Sequence, residues 1–114
     1  MKQIICYIRP DKYNDTKQEL LQEGILGLNS QMVQGRGKKS VTYAIEVEGE
    51  EVEGYQDYPF MPKKQVTIVV EDEDVDKAIA AILRANKTGN SGDGKVFILP
   101  VMDTIKIRTN EHVV

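Results

Sequence analysis

Val66-Thr67-Ile68-Val69-Val70-Glu71-Asp72-Glu73-Asp74-Val75 opens the stretch that decides the fold. Its first five residues are a β-branched run and read as a buried strand. The acids at 71–74 follow where a helix would begin; negative charge is favoured there, and helix capping explains the run more simply than a metal site. Val75, Ala78, Ile79, Ile82 and Leu83 come next at i, i+3, i+4, i+7 and i+8, the spacing of one buried helical face. Asn86 to Gly89 stops the helix, and Val96-Phe97-Ile98-Leu99 is a further strand, closed by Pro100. One strand–helix–strand unit is complete.

The same order is written once before. Residues 3–9 (Gln-Ile-Ile-Cys-Tyr-Ile-Arg) read as a strand, and Pro10-Asp11 breaks it. Asp11 is placed to cap the next helix, to which Tyr13, Leu20 and Leu21 give an apolar side and Gly24 a stop. Residues 28–34 form a second strand, and Gly35-Arg36-Gly37 lets the chain bend. Residues 38–61 lack a long apolar run and read as one long, mobile loop. Thr42 to Val47 is strand-like, so a hairpin within the loop stays open, although Gly49 and Gly54 interrupt it. Loops of this length in compact domains are usually functional. Ile105-Lys106-Ile107-Arg108 predicts a last short strand, its isoleucines facing the core and its cations sharing the other face.

The pattern is a pseudo-repeat of roughly residues 1–35 and 64–100. It predicts a single domain over 1–114 with a ferredoxin-like βαβ–βαβ, α+β sandwich, both helices on one face of an antiparallel sheet. The other face is left bare, so oligomerisation follows as an expectation.

Composition narrows the function. The chain has 114 residues, 40% of them hydrophobic, enough for one core. No apolar run nears the ~20 residues that cross a bilayer. The polar turn at Arg9 argues against a secretory signal, and a cytoplasmic protein is the expectation. One cysteine excludes an intrachain disulfide and a Cys-based zinc site; Cys6 reads as a small core residue rather than a nucleophile. Six acids and no Lys or Arg lie between Glu46 and Asp57, leaving 15 bases and 12 acids elsewhere. A mildly basic body suits a small anion, and the basic stripe of a nucleic-acid binder is missing.

Gly89-Asn90-Ser91-Gly92-Asp93-Gly94-Lys95 satisfies G-x-x-x-x-G-K, the front of a P-loop. Val96 stands where a Walker motif needs Ser or Thr for magnesium, and a strand follows instead of a helix, which argues against a Walker NTPase. Glycines still let backbone N–H groups converge on a phosphate while Lys95 adds charge. An ordinary helix-to-strand turn fits too. Lys106 and Arg108 make a polyphosphate site a competitor to a solvated edge strand. Gly35-Arg36-Gly37-Lys38-Lys39 is a second glycine–cation cluster.

The segment Thr88 to Phe97 resembles the T-G-x-x-G-D-G-K-I-F signature of the PII family of nitrogen-regulatory signalling proteins. Ile105 to Thr109 is similar to that family's R-I-R-T-G-E tail. Met1 to Pro10, the Gly35–Gly37 hinge and Pro62-Lys63 fit as well, so the resemblance covers nearly the whole chain. It implies a homotrimer that is not an enzyme, with ATP and ADP competing for clefts between subunits. ATP would bring magnesium, and 2-oxoglutarate would be sensed beside it. Residues 37–61 would be the flexible T-loop, which docks onto a target enzyme or transporter of nitrogen metabolism. By position, Gly37, Lys38, Gly92, Asp93, Gly94, Lys95, Lys106 and Arg108 would hold the phosphates, and Asn29 and Val69 would lie near the adenine. Lys63 would meet the 2-oxoglutarate carboxylate.

Departures from the family pattern shape the alternatives. Lys39 stands where the family carries a Gln that helps hold magnesium and 2-oxoglutarate, and an ammonium cannot act as a neutral carbonyl ligand. Lys106 replaces an Arg and Asn110 a Gly. The loop is long and acidic, and Tyr55 lacks the usual uridylylation context. The loop and the approach to the signature look closest to the nitrogenase-associated branch. A PII-like trimer that has lost 2-oxoglutarate sensing and answers to another ligand, or a weak nucleotide phosphohydrolase, are the other readings.

Overall fold

The computed structural model describes residues 1–38, 41–47, 49–57 and 59–114; within 41–47 and 50–57 it describes the backbone. The elements in chain order are β1 (Lys2–Ile8), a 3₁₀ turn (Pro10–Lys12), α1 (Tyr13–Gln22), β2 (Asn29–Gly35), β3 (Val41–Val47) and β4 (Glu50–Asp57). Then come β5 (Met61–Val70), a second 3₁₀ turn (Asp72–Asp74), α2 (Val75–Asn86) and β6 (Lys95–Pro100). Strands β2-β5-β1-β6 form a four-stranded sheet in that order, and every neighbouring pair is antiparallel. This is the ferredoxin-like α+β arrangement expected from the repeat.

The period-two alternation of β1 and β5 decides which face is covered. Ile4, Cys6 and Ile8 from β1 and Val66, Ile68 and Val70 from β5 are buried together with Leu20, Ala78, Ala81 and Ile82 of the helices. Each large apolar side chain in that layer contributes ~1.5–3 kcal/mol. The run 66–70 is therefore buried on one side only, and Thr67 and Val69 face the bare side. There, Cα partnership sets Ile5 beside Thr67 and Phe97, and Gln3 beside Val69 and Leu99. Phe97 is 48% exposed, and the Tyr7 and Phe97 rings meet edge to face at 6.1 Å.

Gly24 stops α1, as read. It sits at φ +79°, its N–H donates to the Leu21 carbonyl (3.0 Å), and the Ile25 N–H reaches back to the Leu20 carbonyl (3.0 Å). That is a Schellman closure, with Ile25 and Leu20 both buried. Between the helices, the Asn86 side-chain amide donates to Thr16 Oγ1 and to the Ile82 carbonyl (both 2.9 Å). Arg84 spans to Glu19 and Glu23, each at 3.0 Å.

Several expectations are corrected. Among the described residues, neither helix and neither 3₁₀ turn has a side-chain hydrogen bond from its N-cap residue, so Asp11 is not a cap. Of the acid run, Asp72 instead binds the N-terminal amine at 2.9 Å, because Met1 is placed beside it by the β1–β5 register, and Asp74 pairs with Lys77 at 3.1 Å. Leu83 and Leu21 lie at the rim of the core and are about half exposed. The hairpin left open within residues 38–61 is present as the β3–β4 antiparallel ladder, with Gly49 at its turn; only Gly54 reads differently, being the extra residue of a β-bulge between Glu53 and Tyr55. β5 begins at Met61, earlier than Val66. Finally, Ile105–Arg108 is no strand. Lys106 closes on itself: its carbonyl accepts the Thr109 and Asn110 N–H groups, and its own N–H donates to the Glu111 carbonyl. Those backbone groups are spent locally, so Ile105 and Ile107 are exposed rather than in the core.

Candidate functional site

The site grows out of strand register. β1 lies between β5 and β6, with Ile8 opposite Lys64 and Tyr7 opposite Lys95. Continuing both ladders past the end of β1 sets Arg9 opposite Lys63 on one side and Asp93 on the other. The side chains meet accordingly. Arg9 Nη1 donates to Asp93 Oδ1 at 2.6 Å and Nη2 to the Ser91 carbonyl at 2.8 Å. Lys63 Nζ donates to the Gly92 carbonyl at 2.7 Å. A charged bracket thus holds the loop between α2 and β6.

Asp93 organises the loop from inside. Besides Arg9 it accepts the Thr88 hydroxyl (2.5 Å), the Thr88 N–H (2.8 Å) and the Gly89 N–H (2.9 Å). Thr88 first, then Arg9, then these backbone donors hold its carboxyl well below the usual carboxylate range. Gly94, at φ +109°, lies against β1 so closely that a Cβ would stand 1.8 Å from the Tyr7 carbonyl oxygen. Only glycine fits there.

The loop brings together Gly92, Asp93, Gly94, Lys95 and Lys63. The Asp93 carboxylate is directed at its own loop, so it acts as an organiser here. Lys95 is exposed and forms no ion pair among the described residues. Lys63 spends one of an ammonium's three donors on Gly92. Arg9, Lys63 and Lys95 against Asp93 leave a positive surplus around a glycine backbone, an arrangement that can receive a polyanion. Beneath the loop, Ile79, Ile82, Leu83 and Val96 line a cleft of about 390 Å³ between α2 and β6.

The remaining residues lie apart. Asn29 is on β2 opposite Thr67, and Val69 is on β5 opposite Gln3, both on the bare face of the sheet. Gly37 and Lys38 are exposed beyond the end of β2. Lys106 and Arg108 are exposed on the C-terminal segment, and among the described residues no hydrogen bond joins their side chains to the glycine loop. Lys39 lies outside the described residues, as does the side chain of Tyr55. Cys6 is core, its thiol pushed up to about 11 by burial, which keeps it from acting as a nucleophile. Sequence reading missed Arg9 and the role of Thr88. Thr88 was inside the quoted signature, and its spacing to Asp93 permits a local turn bond. Arg9 becomes visible only once strand pairing is known.

The family model described as Nitrogen regulatory protein P-II matches residues 1–111. A protein named "Nitrogen fixation nifHD region GlnB-like protein 2" from Methanobacterium ivanovii is 40% identical over 117 aligned positions, covering 97% of this chain and 94% of its own. The protein of the same name from Methanococcus maripaludis is 38% identical, over 98% and 96% of the two chains. "Nitrogen regulatory protein P-II 2" from Methanothermobacter thermautotrophicus is 36% identical, over 97% and 92%. Fold, glycine loop and full-length similarity agree, and the chain belongs to the nitrogen regulatory protein P-II family of signalling proteins.

Proposed function

We propose that this P-II family member senses ATP and ADP through the glycine loop and passes their occupancy to residues 37–61, which bind or release a target protein of nitrogen metabolism. The observation that carries the reading is the cation surplus of Arg9, Lys63 and Lys95 on a loop already organised by Asp93. The Gly92–Lys95 backbone and Lys95 would receive the phosphates, with Gly37 and Lys38 beside them and magnesium accompanying the triphosphate. Asn29 and Val69 would take the adenine. Lys106 and Arg108 would reach the phosphates of a neighbouring subunit, in a trimer built on the bare sheet face, where Ile5, Val69, Phe97 and Leu99 need cover. The ligand acts by binding one state of the 37–61 segment better than the other. Relatives named for a nitrogen-fixation nifHD region favour a target in nitrogen fixation.

A second reading concerns 2-oxoglutarate. Lys63 is the cation expected to meet its carboxylate, and Lys39 replaces the neutral Gln expected beside it. An energy sensor indifferent to 2-oxoglutarate fits that replacement. Calorimetric titration with ATP and ADP, each with and without 2-oxoglutarate and magnesium, tests both readings. Lys95→Ala is expected to weaken ATP at least roughly ten-fold, a lost charge-assisted contact. Unchanged affinity removes the proposed site, and measurable ATP turnover would favour the phosphohydrolase alternative.

A further inference from the structure

The C-terminal segment, residues 101–114, contains no helix or strand, yet it is closed upon itself. The Lys106 carbonyl accepts the N–H groups of Thr109 (3.2 Å) and Asn110 (2.8 Å), and the Lys106 N–H donates to the Glu111 carbonyl (2.8 Å). At the base of this turn, His112 Nδ1 lies 2.9 Å from each oxygen of Asp103. The Thr104 N–H donates to Asp103 Oδ1 at 2.8 Å. Lys106 and Arg108 project from the loop so closed, both exposed.

Two neighbouring cations repel, and a free tail would spread them. Closing residues 103–112 at their ends limits that spread and lowers the ordering cost when an anion binds. We infer that His112 is a positioning residue of the nucleotide site: its pairing with Asp103 closes the segment that presents Lys106 and Arg108 to phosphate, and the grip follows the charge on His112. The inference rests on the nucleotide-binding reading above. Asp103 is held below the usual carboxylate range, first by His112 and then by the Thr104 N–H, so it stays ionised near neutrality. Histidine is the side chain that ordinarily changes charge between about pH 5 and 8. The imidazolium–carboxylate bond is charge-assisted, and the neutral ring holds more weakly. The segment's other charged side chains are Lys106, Arg108 and Glu111, and among the described residues neither His112 nor Asp103 forms an ion pair with them.

The pair is exposed, so the effect is modest. ATP affinity is measured at about pH 6 and about pH 8 for the wild type, His112→Lys and His112→Ala. His112→Lys keeps a cation opposite Asp103 at both values. The triphosphate's own titration is common to all three proteins and cancels in the comparison. The wild type is expected to lose roughly two- to five-fold more affinity across the range than His112→Lys, the size of an exposed ion pair. His112→Ala is expected to be weak at both. Wild-type and His112→Lys profiles that superimpose overturn the inference. If no protein binds ATP, the nucleotide reading fails, and amide exchange decides the clasp alone. Faster exchange at Lys106 and Asn110 in His112→Ala than in the wild type at about pH 6 supports it. Equal exchange overturns it.

Discussion

The glycine loop and the C-terminal segment both carry cations proposed for phosphate, yet they are held in opposite ways. The loop is bolted to the sheet. Asp93 gathers four donors, Arg9 and Lys63 grip its carbonyls, and the Gly94 backbone lies on the Tyr7 carbonyl of the central strand β1. Within itself the segment is held by one exposed ion pair, three backbone bonds and the bonds from the Thr104 and Glu111 N–H groups to the Asp103 and Thr109 side chains, and its first residue touches the sheet through the Val101 N–H on the Met1 carbonyl. Lys95 is thus pre-placed, whereas Lys106 and Arg108 sit on a piece that can adjust. A sensor needs both: a fixed seat that defines where phosphate goes and a part whose position answers to occupancy. Substitutions in the loop should therefore cost stability and binding together, and those in the segment binding alone.

The largest break is expected from Gly94→Ala. The added Cβ would meet the Tyr7 carbonyl oxygen at 1.8 Å and its carbon at 3.0 Å, at a φ of +109° that alanine disfavours. β1 is flanked by strands on both sides and cannot retreat. A loss of roughly 3–5 kcal/mol is expected, in the range of severe backbone strain. At a few degrees per kcal/mol for a chain this size, Tm should fall by more than ~10 °C. A Tm near wild type would mean that the loop lifts off β1, and the contrast between the two regions would dissolve.

Asp93→Asn should act less severely, because the amide keeps the size and one acceptor but loses the charge facing Arg9. Tm should fall by less than in Gly94→Ala, with ATP affinity falling alongside. The pH course is specific. The Asp93 carboxyl is depressed in the folded chain, so its contribution is fully present above the unfolded carboxylate value of ~3.9 and is lost as pH falls towards the folded value. The Tm gap between wild type and variant should be constant from neutrality to about pH 5 and narrow only below about pH 4. A gap that closes near neutrality would show that some other group carries the effect.

Much of this was legible in the chain. The β-branched runs of β1 and β5 and the 75–83 spacing of α2 each needed only local chemistry. The quoted signature contained Gly92 to Lys95, the centre of the site. The bracket did not show, because Arg9, Lys63 and Asp93 are far apart in sequence and only the β1–β5 and β1–β6 registers bring them level. The acid run does lie at the start of α2, as read, but it does not cap it, for a related reason: Asp72 has a partner in the N-terminal amine of Met1, far away in sequence. Ile105 to Arg108 misled more simply. Four alternating residues are compatible with a strand, but a strand needs a neighbour, and here the Lys106 N–H and carbonyl are spent on a turn within the segment instead.

Asn110 offers the smallest perturbation and the sharpest separation of the two regions. It adopts φ +62° and its N–H closes the turn onto the Lys106 carbonyl. Asparagine tolerates this left-handed region and glycine accepts it freely, at the cost of more freedom in the unfolded chain. Asn110→Gly should therefore move stability by no more than roughly 0.5 kcal/mol either way. Asn110→Val should not reach that φ, since a β-branched side chain there is a steric outlier. The turn should open, the Lys106 and Arg108 cations should spread, and ATP affinity should drop a few-fold. Tm should hardly move, because Asn110 is exposed and is not part of the buried core. If Asn110→Val lowers Tm as Gly94→Ala does, the segment is bolted down like the loop, and the division into a fixed seat and an adjustable arm is wrong.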